Sequence, residues 1–347
     1  PFWKRFQNNN MTWETGEKWN FGVDMQFFNA LNVNVDLFKE TRSDIFMNRN
    51  GSIPLYSGLI TVIDDKNKTA VYANSGKMEN KGIELSLDYN KQVNKDLFIS
   101  FKSTFTYAHN TVLEQDEPSF LEYPWKSKVG HSVDMLMGWV SNGLFPDEES
   151  IKNAPNQGKG LPVLPGDIWY LDQPNVYGER DGIIDNNDKV YMGYPTNPEI
   201  IYGFGPSIKW KNWDCSFFFQ GAARVSLMMS GIHPFGNTTL TNVRQFIADN
   251  YWSEANPNPN AKYPRLSVED NSHNTEYSDY WLRNAAFLKL KNAELGYTFK
   301  NMRFYLSGAN LLTFSPFKEW DPEMGGGNGL KYPTQRVFNL GFQMTFK

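Results

Sequence analysis

The sequence has a single cysteine, Cys215, so it cannot build an internal disulfide framework, and no Cys/His spacing in it matches a zinc site. It also has no Lys/Arg-rich run, and its formal net charge is −4. A basic field for nucleic acid is therefore missing, and nucleic acid is not expected as a partner. No apolar run approaches the roughly 20 residues that a spanning helix needs. The opening residues PFWKRFQNNNMTW show neither the apolar stretch nor the small-residue cleavage site of a secretory signal, so the chain reads as starting inside something longer. Phosphate loops, strained nucleophile turns and His-based constellations are also missing. His109, His131, His233 and His273 are scattered with no ligand pattern. The acids Glu114, Asp116, Glu117, Asp147, Glu148 and Glu149 supply carboxylates for glycosidase chemistry, but they cluster as solvated loops also do. The chain is read as not an enzyme.

What is present is strand alternation with many aromatic residues, 16% of the chain. In GIELSLDYN, Ile83, Leu85, Leu87 and Tyr89 point one way and Glu84, Ser86 and Asp88 the other. WNFGVDMQFF and LNVNVDLF form a hairpin across a very short turn, and the Ile83 strand pairs across NKD with LFISFKSTFTYAH. Further alternating runs follow in IYGFGPSIKW, WDCSFFFQGAARVSLMM, AAFLKLKNAELGYTF, RFYLSGANLLTF and RVFNLGFQMTF. About ten long strands result, with short turns on one side and long loops on the other. The strands exceed the roughly 5–6 residues usual in soluble sandwiches. A sandwich buries the oily face of each strand, whereas a membrane barrel shows that face to lipid and fills its lumen with the polar one. The pattern predicts an all-β, antiparallel transmembrane β-barrel architecture. A soluble β-rich carbohydrate-binding module or hydrolase domain is the alternative.

Two loop features suggest binding. In GERDGIIDNNDKV, Asp181, Gly182, Asp185 and Asp188 fall at calcium-loop offsets, with the Ile183 carbonyl as a further ligand. The first two ligand positions hold Tyr177 and Glu179, and Asp172 can substitute if the intervening residues loop out. A metal-free Asp/Gly turn reads the same residues equally well. The loop aromatics Tyr123, Trp125, Trp139, Trp169 and Tyr170 suit stacking on sugar rings or peptide side chains, with Tyr177 and Trp252 beside them; loop packing is the plainer alternative. NVRQFIADNYW fits a short helix inside a loop.

Seven segments in order, NSGKMENKGIELSLDYN, PGDIWYLD with DGIIDNNDKV, GFGPSIKWKNWDCSFFFQG, NYWSEANPNPNAKYPRL, YWLRNAAFLKLKNAELGYTF, FYLSGANLLTFSPFKEWDPE and YPTQRVFNLGFQMTF, make the chain similar to the C-terminal part of SusC/RagA-like TonB-dependent outer-membrane transporters. The resemblance implies that residues 1–347 are part of a barrel of roughly 22 strands, with long extracellular loops near 113–198 and 228–280. It implies residence in the outer membrane of a Gram-negative bacterium. The implied partners are the lipid bilayer, a SusD-like surface lipoprotein, TonB acting through an N-terminal part absent here, and an oligosaccharide or peptide substrate. About ten strands cannot close a barrel of that width.

Overall fold

A computed structural model describes residues 7–49, 51–57, 62–64, 67–68, 71–158, 162–232, 242–268 and 271–346. His233 and part of the expected 228–280 loop lie outside them. The alternating runs form one antiparallel sheet of nine strands, against about ten expected. We label them β1 (Thr15–Phe27), β2 (Leu31–Asn48), β3 (Tyr72–Asn94), β4 (Leu97–Glu114), β5 (Ile200–Trp210), β6 (Trp213–Ala223), β7 (Phe287–Phe299), β8 (Met302–Phe314) and β9 (Val337–Met344). Each strand pairs with its neighbour in sequence, so the order in the sheet runs straight from β1 to β9. The sheet stays open, with β1 and β9 as its edges.

The strands are joined alternately by tight turns and long loops, which puts all the tight turns at one end. Phe28 and Asn29, Lys211, and Lys300 take φ of 54°, 49°, 53° and 55° in three of these turns. That left-handed backbone matches the twist of paired strands and allows a very short connection. The segment HSVDMLMGWV contributes only the short strand Leu136–Gly138, which pairs with Val190–Met192 in the long-loop layer. The helix expected in NVRQFIADNYW spans Gln245–Ala248.

Register sorts the side chains into an apolar and a polar face. Across eight strands the sequence Val23, Val35, Leu85, Phe105, Tyr202, Gly221, Leu288 and Phe314 forms one transverse row. Its single gap, Gly221, is filled by the Tyr202 ring, which a Cβ there would strike at 2.3 Å. The adjacent row on the opposite face is Asp24, Asn34, Ser86, Thr104, Gly203, Gln220, Lys289 and Thr313. Close to the tight turns, Trp210, Trp213, Tyr297, Phe304 and Phe342 line up on the apolar face. Near the other end that face turns polar at Lys39, Lys81 and His109, which are in register. An apolar band bordered by an aromatic row is the outer surface of a membrane barrel.

No second sheet packs on this face among the described residues. Phe21 is 65% exposed, Leu306 54%, Phe314 56% and Phe342 56%. A soluble sandwich would bury these side chains, so that alternative fails. On the polar face, Gly82 supports the ring of Phe38, whose nearest atom a Cβ would meet at 2.6 Å. This gives the glycine of NSGKMENKG a packing reason.

The facing generates a paired prediction. Leu85→Arg should cost about 2–4 kcal/mol near a bilayer midplane and lower the amount of heat-modifiable, folded barrel on gels. Glu84→Arg, facing the polar side beside Asp36, should assemble normally.

Candidate substrate-binding site

The buried apolar side chains lie almost entirely in the long-loop layer. Leu144, Phe145, Ile168, Tyr170, Ile247 and Tyr263 are at most 1% exposed, and Trp139 and Trp281 are 3%. The polar centre of this layer is Asp167 of LPGD, itself 1% exposed. Its carboxylate accepts the Leu164 amide at 2.9 Å, the Asn271 and Asn274 side-chain amides at 3.0 and 2.8 Å, and Nη2 of the Arg265 guanidinium at 3.2 Å. A buried carboxylate with this many donors is compensated, and it ties its own turn to the stretch that holds Arg265, Asn271 and Asn274, about a hundred residues further on. Gly166 before it has φ +86° and lies against the Trp252 ring, 2.3 Å from where a Cβ would sit, so both backbone and space require glycine.

The expected loop aromatics divide by burial. Trp139 gives its indole N–H to the Asp185 carbonyl at 2.7 Å and packs on Tyr170, whose hydroxyl donates to the His273 carbonyl at 2.8 Å. Both rings are interior, so the expectation that they present a stacking surface is corrected: they hold the loops together. Trp169 stacks on Phe145 at 5.0 Å, and its buried N–H has no acceptor among the described residues. Tyr123 and Trp125 meet edge to face at 5.5 Å, and the Trp125 N–H reaches the Asn187 carbonyl at 3.3 Å. These last two are half-buried and remain the accessible members of the set.

The Asp loop is a network of backbone caps. Asp181 accepts the Ile183 amide at 2.9 Å, Asp185 the Asn187 amide at 2.6 Å, and Asp188 the Gln173 and Asp185 amides, both at 2.7 Å. Asp172 accepts the Gly182 amide at 2.8 Å with one oxygen, while its other oxygen is buried with no donor among the described residues. Burial pushes the Asp188 carboxyl up, against the pull of its two backbone donors. Among the described residues no group of three or more His, Cys, Asp and Glu side chains has an arrangement that holds a metal ion.

The polar face of the sheet continues upward into two cavities beneath the loops. One, of about 520 Å³, is lined by Glu40, Asn80, Asn110, Asp134, Asn197 and Glu199 among others. The second, of about 380 Å³, has Leu136, Val225, Leu227, Met228 and Phe287 in its walls. Pro198 lines both, so they adjoin. Behind the first, Glu199 is 4% exposed and binds His109 and Arg224, the latter at 2.5 Å. Beside the second, Lys289, fully buried, donates to both oxygens of Asp321 at 2.6 Å and to Glu323 at 2.5 Å, which Lys291 also contacts at 2.6 Å. The loop 315–336 is thereby fastened to the β7 wall. The sequence offered only the alternation of FLKLKN as a sign of this, since the carboxylates lie some thirty residues further on.

Burial raises the Asp321 and Glu323 carboxyls, but the donors around them together outweigh it, Lys289 with the Glu323 amide and Thr334 at Asp321 and Lys289 with Lys291 at Glu323, and hold both below their ordinary values of 3.8 and 4.5. A depressed carboxyl stabilises above its unfolded value and loses that contribution as pH falls through the folded one. The fastening of 315–336 should therefore hold above about pH 5 and release in stronger acid. Lys289→Met should loosen the same loop at neutral pH, at about 3 kcal/mol, by leaving the partly buried Asp321 carboxylate without its cation while Glu323 keeps Lys291. Limited proteolysis within 315–336 reads both effects; unchanged cleavage would refute the fastening.

Comparison with known proteins agrees with this architecture. The family model for the TonB-dependent receptor-like β-barrel matches residues 1–311. TonB-dependent receptor P3 of Formosa agariphila is 26% identical over 98% of this chain and 35% of its own length. SusC of Bacteroides thetaiotaomicron is 24% identical over 98% of the chain and 32% of its own length. The structure of the RagAB peptide transporter superposes with a TM-score of 0.70 at 23% identity, covering 98% of this chain and 36% of that one. The chain spans about a third of the length of these relatives. It belongs to the TonB-dependent receptor-like β-barrel family.

Proposed function

We propose that the chain forms wall strands and substrate-facing loops of an outer-membrane active importer of a large nutrient, oligosaccharide or peptide. The observation that carries this reading is the continuous apolar face from β1 to β9, bordered by the Trp210–Phe342 aromatic row and opposed by an equally continuous polar face. A lipid bilayer covers the first and a water-filled lumen the second. The long loops, at the end away from the tight turns, then face the cell exterior, where a SusD-like lipoprotein closes over them. TonB supplies energy through the remaining length that relatives have and this chain does not cover. Substrate enters past the accessible Tyr123 and Trp125 and the two cavities, and no residue here is assigned a bond-breaking role.

Fractionation of cells expressing the full-length receptor tests this reading. The receptor should sediment with the outer membrane, require detergent for extraction and bring a surface lipoprotein with it on purification. Recovery as a detergent-free monomer would overturn the reading. Calcium at the Asp172–Asp188 loop is a separate proposal, supported by the donorless Asp172 oxygen beside the buried Asp188. Added calcium should raise the melting temperature over that in chelator by mass action. Superimposable curves would leave the loop a hydrogen-bonded turn.

A further inference from the structure

We propose that the two adjoining cavities form a bipartite subsite for peptides, taking a large apolar side chain in one and an adjacent cationic group, a Lys or Arg side chain or an α-amino group, in the other. This rests on the importer reading and narrows its substrate class. The smaller cavity is walled by Leu136, Val225, Leu227, Met228 and Pro322, with Phe287 on its sheet side. Thr196, Ser226, Ser230, Tyr277 and Glu323 also line it, but most of the wall is apolar, so a sugar ring filling it would turn more of its hydroxyls toward carbon than toward these groups, at about 1–3 kcal/mol for each hydroxyl left unpaired. A Leu, Met or Phe side chain loses nothing and gains burial.

The backbone of this cavity suits a peptide as well. Gly326 forms part of its wall, and a Cβ there would strike the Met228 carbonyl oxygen at 2.7 Å. Its neighbour Gly327 is tied to the Met228 strand, donating to the Met228 carbonyl at 2.8 Å and accepting from Ser230 at 3.0 Å. Gly326, half-buried, makes no such bond among the described residues, and a ligand's amide group is proposed to pair with it.

The larger cavity supplies the charge, with Glu40, Asp134 and Glu199 in its lining against one cation, Arg42. Of its three acids, Glu40 is paired with Arg42 at 2.8 Å and Lys18 at 3.4 Å, and Glu199 is held by Arg224 and His109. Asp134 has only neutral donors, the Asn197 side-chain amide at 2.7 Å being the one on its carboxylate. It is the acid with capacity for a cation, and Pro198 separates it from the apolar chamber.

The test uses the full-length receptor purified with its lipoprotein and an equimolar pool of synthetic decapeptides, random at every position, with maltoheptaose as the glycan probe. Mass spectrometry of the retained fraction should show peptides that place Lys or Arg beside Leu, Met or Phe, and no retained maltoheptaose. Asp134→Asn should lower the enrichment of basic residues about fivefold, the effect of a partly exposed ion pair, and leave the apolar preference intact. Ala285→Phe, which fills the apolar chamber, should lower the enrichment of large apolar residues about tenfold and leave the basic preference intact. Asp134→Asn removes only a charge from a half-buried side chain, so it keeps the test decisive if the filled variant fails to fold. Retention of maltoheptaose instead of peptides, no retention of either, or enrichments indifferent to Asp134→Asn would each overturn the subsite. If the receptor still fractionates with the outer membrane in those cases, the importer reading stands and only the peptide assignment falls.

Discussion

One face of a nine-stranded sheet is apolar from edge to edge, and the chain supplies nothing to cover it among the described residues. Burying a single Leu, Phe or Met side chain is worth about 1.5–3 kcal/mol. Six such side chains, Phe21, Leu37, Leu306, Leu312, Phe314 and Phe342, are each about half exposed or more on this face. Together they outweigh much of the 5–15 kcal/mol by which a typical domain is stable. Only an apolar medium removes that cost, and the other features of the wall follow from it. The strands are long because they must cross the medium. The tight turns cluster at one end because a barrel wall of this kind needs no more there. The apolar band stops where Lys39, Lys81 and His109 meet water again.

The loop layer solves the opposite problem. It has a dry interior of its own, so the polar atoms that enter it must be paired. Asp167 is satisfied by Leu164, Asn271, Asn274 and Arg265, and Lys289 by Asp321 and Glu323. Such pairs add less net stability than well-packed apolar groups would, but they are directional. They fix which loop lies over which part of the wall, and so set the shape of the two cavities. The apolar chamber and the Asp134 chamber are therefore properties of loops held by buried charge, placed above a wall held by lipid.

Much of the wall could be read from the chain directly, because each strand pairs with its sequence neighbour and a period of two is local information. Ile83 to Tyr89 declare their facing without reference to anything distant, and the hairpins at Phe28–Ala30 and Lys95–Asp96 lie where short turns interrupt alternation. The site was far less legible. Trp139 and Tyr170 looked like exposed platforms because their acceptors, the Asp185 and His273 carbonyls, come from other segments. Asp167 belongs to a short motif whose partners lie about a hundred residues away. The Asp181–Asp188 spacing resembles a cation loop, yet Asx-type caps use the same residues at the same offsets. Alternation in FLKLKN marks Lys289 as facing the polar side but does not reveal that a returning loop buries it.

The facing of β3 can be measured residue by residue. With Cys215 replaced by serine, single cysteines at 83 through 89 of the full-length receptor in lipid would carry a nitroxide, and collisions with oxygen and with a water-soluble nickel chelate would be compared. The account predicts strict alternation, oxygen-rich at Ile83, Leu85, Leu87 and Tyr89 and nickel-rich at Glu84, Ser86 and Asp88. Uniform water access along the strand, or alternation in the opposite phase, would contradict it.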